Sequence, residues 1–266
     1  MSILKRVKFN QITFSRLYKY LKNKAKNTYY TFIWMYSKSG KLNRFELKKL
    51  ENKHSGEDVI LVANGPGLNK IDFKLFDNKI VFGMNRIYLS EKINIDYLCC
   101  INDLVTKQFK NDFNKLRIPT FFKFRHHNYI KKNKNYFFET GFLNSSFSCD
   151  ISKGLNPAAT VTYACLQIIF HMGFKRVFIV GLDHNFSFNG NVNETQKVHG
   201  DSNHFIKDYF PKGSTWETPD LLSSEYFYKE ALTEFEKHGK EIIDCSVDGK
   251  CNVFPKMKLE NIINQK

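Results

Sequence analysis

Short apolar runs of strand length alternate with longer amphipathic stretches along most of this chain. The runs lie at 58–63, 79–83, 95–101, 118–122 and 175–180. They are rich in β-branched residues, and the stretch 157–173 has the length of a helix and ends at Gly173. Buried strands that alternate with helices predict an α/β fold with a Rossmann-like, doubly wound, mostly parallel sheet. Pro119 predicts that the fourth strand lies at an edge, because proline cannot donate to a strand ladder.

Polar residues recur where the predicted strands end. They are Asn64 after the first strand, Asn85 after the second, Asn102 and Asp103 after the third, and Asp183 and His184 after the fifth. In open parallel sheets, ligands bind outside the carboxyl ends of the strands. The repetition of such residues at four strand ends is the strongest indication of a ligand site in the sequence.

A glycine-rich turn, Asn64-Gly65-Pro66-Gly67, follows the first strand. Glycines at this place let backbone N–H groups approach a phosphate or a ribose closely. The turn matches neither the Gly-x-Gly-x-x-Gly pattern nor the P-loop pattern. Two interpretations therefore stay open, a nucleotide-binding turn and a tight turn without a ligand.

The N-terminal segment carries most of the net charge of +15. Residues 1–54 hold 14 Lys or Arg against two acids, Glu46 and Glu51, whereas the rest of the chain holds 27 basic and 24 acidic side chains. A helix predicted over 3–36 combines lysines with aromatic and aliphatic residues, which suits an anionic membrane surface; packing on the core or on a partner protein is the alternative. We expect a basic amphipathic helical arm at 1–54, a nucleotide-binding domain at 55–266, and no nucleic-acid partner for this nearly neutral domain.

The cysteines and the hydropathy pattern bear on the cellular compartment. Cys99, Cys100 and Cys165 lie in apolar runs, which predicts buried thiols in a reducing compartment. The sequence shows neither a secretory signal peptide nor a run of 18 apolar residues. We therefore expect a cytoplasmic protein that residues 1–36 hold peripherally on the inner face of the cell membrane.

A polar, aromatic loop at 201–213 follows the last buried strand that the pattern predicts. Its His204 is a candidate general base, because histidine titrates near neutral pH; a histidine that is hydrogen-bonded in a surface loop is the alternative. The residues that could ligate a metal are Asp183, His184, His199, Asp201 and His204. Their spacing matches no zinc pattern, and no Asp-x-Asp motif occurs, so we expect no metal.

Together these motifs resemble a known family. The segments that carry the resemblance are Asn64-Gly65-Pro66-Gly67-Leu68, the strand ends at Asn85 and Asn102-Asp103, Gly173-Phe174-Lys175-Arg176 and Gly181-Leu182-Asp183. They are similar to small bacterial sialyltransferases that use CMP-sialic acid and to a wider superfamily around them. That superfamily includes nonulosonic-acid transferases of the motility accessory factor type and proteins described as 6-hydroxymethylpterin diphosphokinase-like. The resemblance spans residues 55–260.

The resemblance implies roles for individual residues. The nucleotide-binding residues would be Asn64, Gly65, Pro66, Gly67, Asn85, Asn102, Asp103 and Thr160. In the sialyltransferases a late histidine deprotonates the acceptor and two tyrosines stabilise the departing phosphate. His204 is the best match for this histidine; the two tyrosines have no match at the corresponding positions, and Tyr209 is the residue that could replace one of them. The catalytic candidates are His204, Tyr209 and Asp183, and the identity of the base stays open between His204, Asp183 and another residue.

The function that the resemblance implies is an inverting glycosyltransferase with a GT-A-like variant fold that needs no metal or other cofactor. It would transfer a sialic-acid-like nonulosonic or ulosonic sugar from a CMP-activated donor to a glycan or glycolipid acceptor of lipopolysaccharide or capsule. Hydrogen-bond donors aimed at the departing phosphate could replace a metal ion. Two alternatives stay open, an ATP- and magnesium-dependent 6-hydroxymethylpterin diphosphokinase and a non-catalytic nucleotide-binding scaffold in polysaccharide assembly.

Overall fold

A computed structural model describes residues 14–140, 145–158, 160–198 and 203–263 of the chain. The helices in these ranges are α1 (Phe14–Tyr36), α2 (Lys38–Lys48), α3 (Asp103–Gln108), α4 (Lys110–Phe113), α5 (Val161–His171), α6 (Leu221–Lys237) and α7 (Leu259–Ile263). The strands are β1 (Asp58–Val62), β2 (Ile80–Met84), β3 (Tyr97–Cys100), β4 (Thr120–Lys123), β5 (Tyr136–Phe138), β6 (Arg176–Val180), β7 (Thr195–Lys197), β8 (Thr215–Glu217) and β9 (Glu241–Asp244). A short 3₁₀ helix, Pro66–Lys70, follows β1.

The described strands form one large sheet and one small ribbon. Seven of them pair in parallel in the order β5-β4-β3-β2-β1-β6-β9. The ribbon is antiparallel and joins β7 to β8. This topology confirms the predicted Rossmann-like, doubly wound α/β fold.

The centre of the sheet explains the apolar run at the start of the domain. β1 lies between β2 and β6, and its residues Val59, Ile60, Leu61 and Val62 are each at most 1% exposed. A strand covered on both faces has no solvated side and therefore needs no polar alternation. β-branched side chains also favour the extended backbone of such a strand.

The chain runs from β1 outward to β5 on one side and then returns to β6 on the other side of β1. The ends of β1 and β6 therefore form the topological switch point of the sheet, where open α/β folds bind ligands. The backbones join there, because Gly65 N–H donates to Gly181 O (2.9 Å) and Ala63 N–H donates to Val180 O (2.9 Å). This pairing brings the glycine-rich turn beside the residues that follow β6.

The predicted edge position of the fourth strand is wrong. β4 pairs with β3 on one side and with β5 on the other. Pro119 lies just before the strand, so the ladder does not need its missing N–H, and its carbonyl accepts a hydrogen bond from Leu98 N–H (3.0 Å). The loop at 201–213 also does not follow the last buried strand, because β9 pairs with β6 and buries Ile242 and Ile243.

The C-terminal half of α1 and α2 pack against the sheet domain. Trp34 is 1% exposed, and its ring meets Phe124 edge to face with centroids 5.1 Å apart. The Thr31 hydroxyl donates to Glu139 Oε1 (2.8 Å), and α2 buries Leu47 completely. One face of this helical segment is therefore part of the hydrophobic core.

Other predictions from the sequence have the following outcomes. The helix predicted over 3–36 begins at Phe14 in the described residues, and 1–13 lie outside them. The domain boundary after residue 54 stays a prediction. Within the described ranges, none of the helices combines the length and the apolar character needed to cross a bilayer. Cys99, Cys100 and Cys165 are fully buried free thiols, as predicted.

Candidate functional site at the switch point

A cleft with a cavity volume of about 220 Å³ opens at the carboxyl edge of the sheet. Strand ends of β1, β2 and β6 line it, together with the starts of α3, α5 and α6. Of the residues predicted for the site, the lining includes Asn64, Gly65, Asn85, Asn102, Thr160, Asp183, His204 and Tyr209. Pro66, Gly67 and Asp103 lie outside the lining. The fold thus brings residues from several distant strand ends into one cleft.

The glycine-rich turn wraps around the carboxylate of Asp183. Gly67 N–H donates to Asp183 Oδ2 at 2.6 Å. A Cβ atom on Gly65 would lie 2.4 Å from Asp183 Cγ, and one on Gly67 would lie 2.5 Å from Asp183 Oδ1. Both positions therefore need glycine for close approach, and at Gly67 the approaching anion is a side chain of the protein itself.

The environment of Asp183 raises the pKa of its carboxyl above the usual value. Burial raises the pKa of the Asp183 carboxyl, and the nearby charges of Asp244 and Asp248 raise it further. The hydrogen bond from Gly67 and the charge of Lys70 act in the opposite direction without cancelling this effect. Asp183 Oδ1 is buried and has no hydrogen-bond partner among the described residues.

Two asparagine side chains in the cleft also present buried acceptor atoms. Asn64 Nδ2 donates to Met84 O (3.2 Å), which fixes the orientation of the amide, and its Oδ1 has no partner within the described ranges. Asn85 has the same unsatisfied buried oxygen and a left-handed backbone with φ of 51°. Buried polar atoms are almost always hydrogen-bonded in native proteins. The cleft therefore suits a ligand that donates hydrogen bonds, such as a hydroxyl or an amino group.

Asn102 caps a helix as well as lining the cleft. Its Oδ1 accepts hydrogen bonds from Leu104 N–H (2.9 Å) and Val105 N–H (3.1 Å) at the start of α3. These bonds satisfy N–H groups that have no partner inside the helix. They leave the Nδ2 group of Asn102 as the donor that it can offer to a ligand.

Asp103 joins α3 to the segment after β4. Its carboxylate lies 2.7 Å from His126 Nε2 and forms an ion pair with Arg125. Burial alone would raise the pKa of Asp103, but the hydrogen bond from His126 and the charges of Lys123 and Arg125 outweigh it and hold this pKa below its usual value. These contacts give Asp103 a structural role, while its predicted contact with a nucleotide stays a prediction.

Thr160 has two partners at the start of α5. Its hydroxyl accepts a hydrogen bond from Thr162 N–H (3.3 Å) as the N-cap of the helix. The same oxygen lies 3.2 Å from Tyr228 Oη on α6. Thr160 therefore holds two helices together at the wall of the cleft.

His204 and Tyr209 lie on the loop that closes the cleft beside β2. Their rings stack with centroids 4.0 Å apart and an interplanar angle of 2°. The Tyr209 hydroxyl accepts a hydrogen bond from Arg86 N–H (3.1 Å), and burial is the main cause that raises the pKa of this phenol. The buried Arg86 guanidinium also donates to Tyr209 O and lies 3.6 Å from the centroid of Phe109. Arg86 thus attaches the loop to the end of β2.

The sequence did not single out the pair formed by His184 and Glu225. His184 lines the cleft directly after Asp183, and its Nε2 lies 3.2 Å from Glu225 Oε1. Glu225 comes from α6, a helix that the apolar pattern did not lead us to predict. Only the contact across 41 residues, which has no local sequence pattern, identifies the pair.

Two further observations concern metal ligands. Among the described residues, one cluster could hold a metal ion, formed by Cys149, Glu234 and His238, and none of the three lines the cleft. The candidate ligands His199 and Asp201 lie outside the described residues.

Comparison with protein families assigns the chain to a family. A family model described as 6-hydroxymethylpterin diphosphokinase MptE-like matches residues 35–189, which is more than half of the chain. The chain belongs to the MptE-like family. The MptE-like match contains β1 to β6 and with them the switch point, whereas His204, Tyr209 and α6 follow it. Comparison with curated proteins and with solved structures found no match.

Proposed function

We propose that this MptE-like protein is a glycosyltransferase that moves a sialic-acid-like sugar from a CMP donor to a glycan or glycolipid acceptor. The observation that carries the proposal is the set of unsatisfied buried acceptor atoms on Asn64, Asn85 and Asp183, at the switch point and beside two histidines. Such acceptors match the hydroxyl groups of a ribose and the exocyclic amino group of a cytosine. A phosphate offers only acceptor oxygens and would not satisfy them.

The donor phosphate would then lie toward the histidines and the loop. In the reaction, the bond between the anomeric carbon and the phosphate oxygen breaks, and CMP leaves with the electron pair. The acceptor oxygen bonds to the opposite face of that carbon, which inverts it, and its proton passes to a base. His204 and Asp183 are the candidates for this base that the sequence supplies. The Tyr209 hydroxyl keeps its own proton while it accepts from Arg86, so it can donate toward the departing phosphate.

A diphosphokinase is the second candidate, and two observations favour it. The family description names this activity, and the cleft lining includes the carboxylates of Asp183, Glu217 and Asp220. Carboxylate oxygens suit magnesium, which accompanies ATP in such a reaction. Asp220 is less suited than the other two, because both of its oxygens already accept hydrogen bonds from Ser223 as the N-cap of α6.

A thermal-shift panel tests the two candidates against each other. The full chain is heated with CMP, CDP, UDP, GDP or ATP, each with magnesium or with EDTA. A ligand at 100 times its Kd stabilises the folded state by about 2.7 kcal/mol. We expect CMP to raise the melting temperature and to do so in EDTA as well. In a separate turnover assay we expect the chain to release CMP from a CMP-linked ulosonic acid. A shift that requires ATP and magnesium together would instead support the diphosphokinase.

Two glycine variants control this panel. Asn85→Gly removes the side chain from the cleft but suits the left-handed backbone there. Asn78→Gly changes an exposed asparagine with a similar φ of 61° that does not line the cleft. We expect Asn85→Gly to need at least ten times more CMP for the same thermal shift. Asn78→Gly should need the same CMP concentration as the wild type. Equal shifts in both variants would remove the main support for a nucleoside at this site.

Release of CMP from a sugar donor distinguishes the glycosyltransferase from a non-catalytic scaffold. A non-catalytic scaffold would bind CMP without releasing it from a sugar donor, and His204→Ala would leave glycan production in cells unchanged. The glycosyltransferase proposal requires that the wild-type chain release CMP from such a donor, and we expect His204→Ala to lower this release, whether His204 is the base or supports the ligand beside Tyr209.

We also propose that the protein acts at the cytoplasmic face of the cell membrane and binds it peripherally through α1. One side of α1 exposes Tyr18, Leu21, Tyr29, Phe32 and Tyr36, with lysines between them. Aromatic residues beside lysines suit the headgroup region of an anionic bilayer. Such a contact would place the cleft near a lipid-linked acceptor.

A further inference from the structure

His184 has an unusual backbone conformation for its position in the cleft wall. It is the fourth residue after Val180, where β6 ends, and its φ of 51° lies in the left-handed region. Residues other than glycine adopt this region uncommonly, and such conformations concentrate at functional sites. The side chain is 7% exposed and lines the cleft. This left-handed residue thus places a buried imidazole in the wall of the cleft.

Glu225 holds one nitrogen of this imidazole. Its Oε1 lies 3.2 Å from His184 Nε2. The first turns of α6 are fixed by the Asp220 cap and by the buried side chains of Ser224 and Tyr228 on either side of the contact. A carboxylate only accepts hydrogen bonds at neutral pH, so Nε2 must carry the hydrogen. The lone pair is therefore on Nδ1, which is the atom able to take a proton.

The charges around His184 suit a base that starts neutral. Burial lowers the pKa of His184, while Glu225 and Asp244 act in the opposite direction without overcoming it. The ring also approaches Tyr228, with centroids 6.1 Å apart. When Nδ1 accepts a proton, Glu225 stabilises the resulting imidazolium, as the carboxylate of a catalytic triad does.

His204 lies in a different setting. Its ring lies flat on Tyr209, and the stack belongs to the loop that Arg86 attaches to β2. The stacked rings form a flat surface that would contact a ligand in the cleft.

We propose that His184, oriented by Glu225, is the general base of the transfer reaction. Its Nδ1 takes the proton of the acceptor hydroxyl while the acceptor oxygen bonds to the anomeric carbon and CMP leaves with the electron pair of the broken bond. The imidazolium then releases the proton to water. Glu225 is a positioning residue, because it acts through His184. This inference rests on the proposed function and adds to it the residue that performs the proton transfer.

The test uses the purified full chain, CMP binding by thermal shift, and CMP release from CMP-linked N-acetylneuraminic acid or 3-deoxy-octulosonic acid across a pH series, with water as the acceptor whose proton the base removes. His184→Asn suits the left-handed backbone, because asparagine adopts it more readily than most residues. We expect this variant to keep the CMP shift and to lose 10²–10⁴-fold in kcat, about the contribution of a general base. His238→Asn, on an exposed histidine outside the cleft, is its control and keeps both.

Glu225→Gln tests the role of Glu225 through the pH dependence of kcat, which would not change if Glu225 only stabilised the fold. Loss of the negative neighbour lowers the pKa of His184, so the acidic limb of the kcat profile moves to lower pH while kcat falls about tenfold or more. Glu236→Gln, on the exposed side of the same helix, leaves the limb in place. His204→Gln also keeps the acidic limb, whatever its kcat.

Each outcome bears on one of the two proposals. An active wild type whose His184→Asn variant keeps its kcat overturns the assignment of the base alone. Loss of the acidic limb in His204→Gln, with the limb retained in His184→Asn, also overturns it. A wild type that neither binds CMP nor releases it from either donor overturns the proposed function and this inference with it.

Discussion

The imidazole of His204 lies flat against the ring of Tyr209, with centroids 4.0 Å apart and planes 2° from parallel. Tyr209 is in turn bonded to both the backbone and the guanidinium of Arg86, which directly follows Asn85. The loop that closes the cleft is therefore attached to the neighbouring end of β2. A change at Tyr209 should act on the position of His204 as well as on stability.

Replacement of Tyr209 separates these two effects. Tyr209→Phe keeps the stacked ring but leaves the buried Arg86 N–H without its acceptor, and we expect a loss of about 1–3 kcal/mol in the free energy of unfolding. Tyr209→Ala also removes the ring and should cost about 3–5 kcal/mol. Urea unfolding gives both values, and NMR shifts of the His204 ring protons report the stack. Retained nuclear Overhauser effects between the His204 and Phe210 rings in Tyr209→Ala would show that the stack does not position His204.

Gly65 and Asp183 should be energetically coupled. Gly65 has a φ of −71°, which alanine tolerates, so the cost of Gly65→Ala comes from the contact between its Cβ and the Asp183 carboxylate. We expect that substitution to cost about 1–3 kcal/mol, as overpacking does. In an Asp183→Ala background the three nearest atoms are gone, and the cost should fall close to zero. Urea unfolding of the four proteins measures the coupling.

Gly67→Ala is the matched control for this cycle. Its added Cβ would lie 2.5 Å from Asp183 Oδ1 but also 2.7 Å from the backbone oxygen of Val247. Removal of the Asp183 side chain does not relieve the second contact. Gly67→Ala should therefore stay destabilising in the Asp183→Ala background. Equal rescue of both glycine variants would contradict the geometry.

Asn102 allows helix capping and ligand binding to be separated. Asn102→Asp keeps an oxygen that accepts from Leu104 N–H and Val105 N–H, so the unfolding free energy should stay nearly unchanged. It replaces the Nδ2 donor with a charge and should therefore weaken the thermal shift by CMP. Asn102→Ala loses the cap, at about 1 kcal/mol, and the donor together. An undiminished CMP shift in Asn102→Asp would exclude a ligand contact by Nδ2.

Asp103 predicts a pH dependence of stability with a definite sign. Its pKa is held below the usual value in the folded protein, so the folded state binds this proton less readily than the unfolded chain. The resulting stabilisation is present above the unfolded pKa and is lost as the pH falls through the folded pKa. Asp103→Asn should lower the unfolding free energy at pH 7 and flatten its decline on acidification. Urea unfolding from pH 7 down to acid pH measures this difference, and an unchanged slope would contradict it.

The fold class and the location of the cleft could be predicted from the sequence because their causes are local. Runs such as Val59–Val62 are apolar without interruption because both faces of a central parallel strand are covered. Asn64 and Asn85 follow such runs directly, so their positions at one sheet edge follow from the strand directions alone. The glycines of the turn could also be predicted, because they directly follow the first of these apolar runs.

The rest depends on contacts between distant residues. β5 is three residues long and β9 begins with Glu241, so neither resembles a buried strand by pattern. The partner of Gly67 is Asp183, 116 residues later, and no spacing indicates that the turn holds a carboxylate of the protein. Glu225 comes to lie beside His184 only because α6 packs against α5 and β9. Such relationships become visible when the topology is known.

The exposed side of α1 should bind anionic membranes through charge and aromatic contacts together. Replacement of Lys22, Lys24 and Lys26 by glutamine removes three charges, each worth about 1 kcal/mol near an anionic surface, so binding should weaken about 100-fold. A second variant, Phe32→Ser with Tyr36→Ser, removes a pair of exposed rings that lie 4.8 Å apart and should weaken binding without changing its salt dependence.

Co-sedimentation with vesicles that contain phosphatidylserine measures this binding, and phosphatidylcholine vesicles serve as the neutral comparison. Substitution is preferable to truncation, because Trp34 and Leu47 of the same segment belong to the core. Lys229→Gln with Lys237→Gln, at exposed positions of α6, controls for the loss of charge alone. If this control pair weakens binding as much per charge as the α1 lysines do, the attraction is a general effect of net charge and α1 is not the membrane-binding surface.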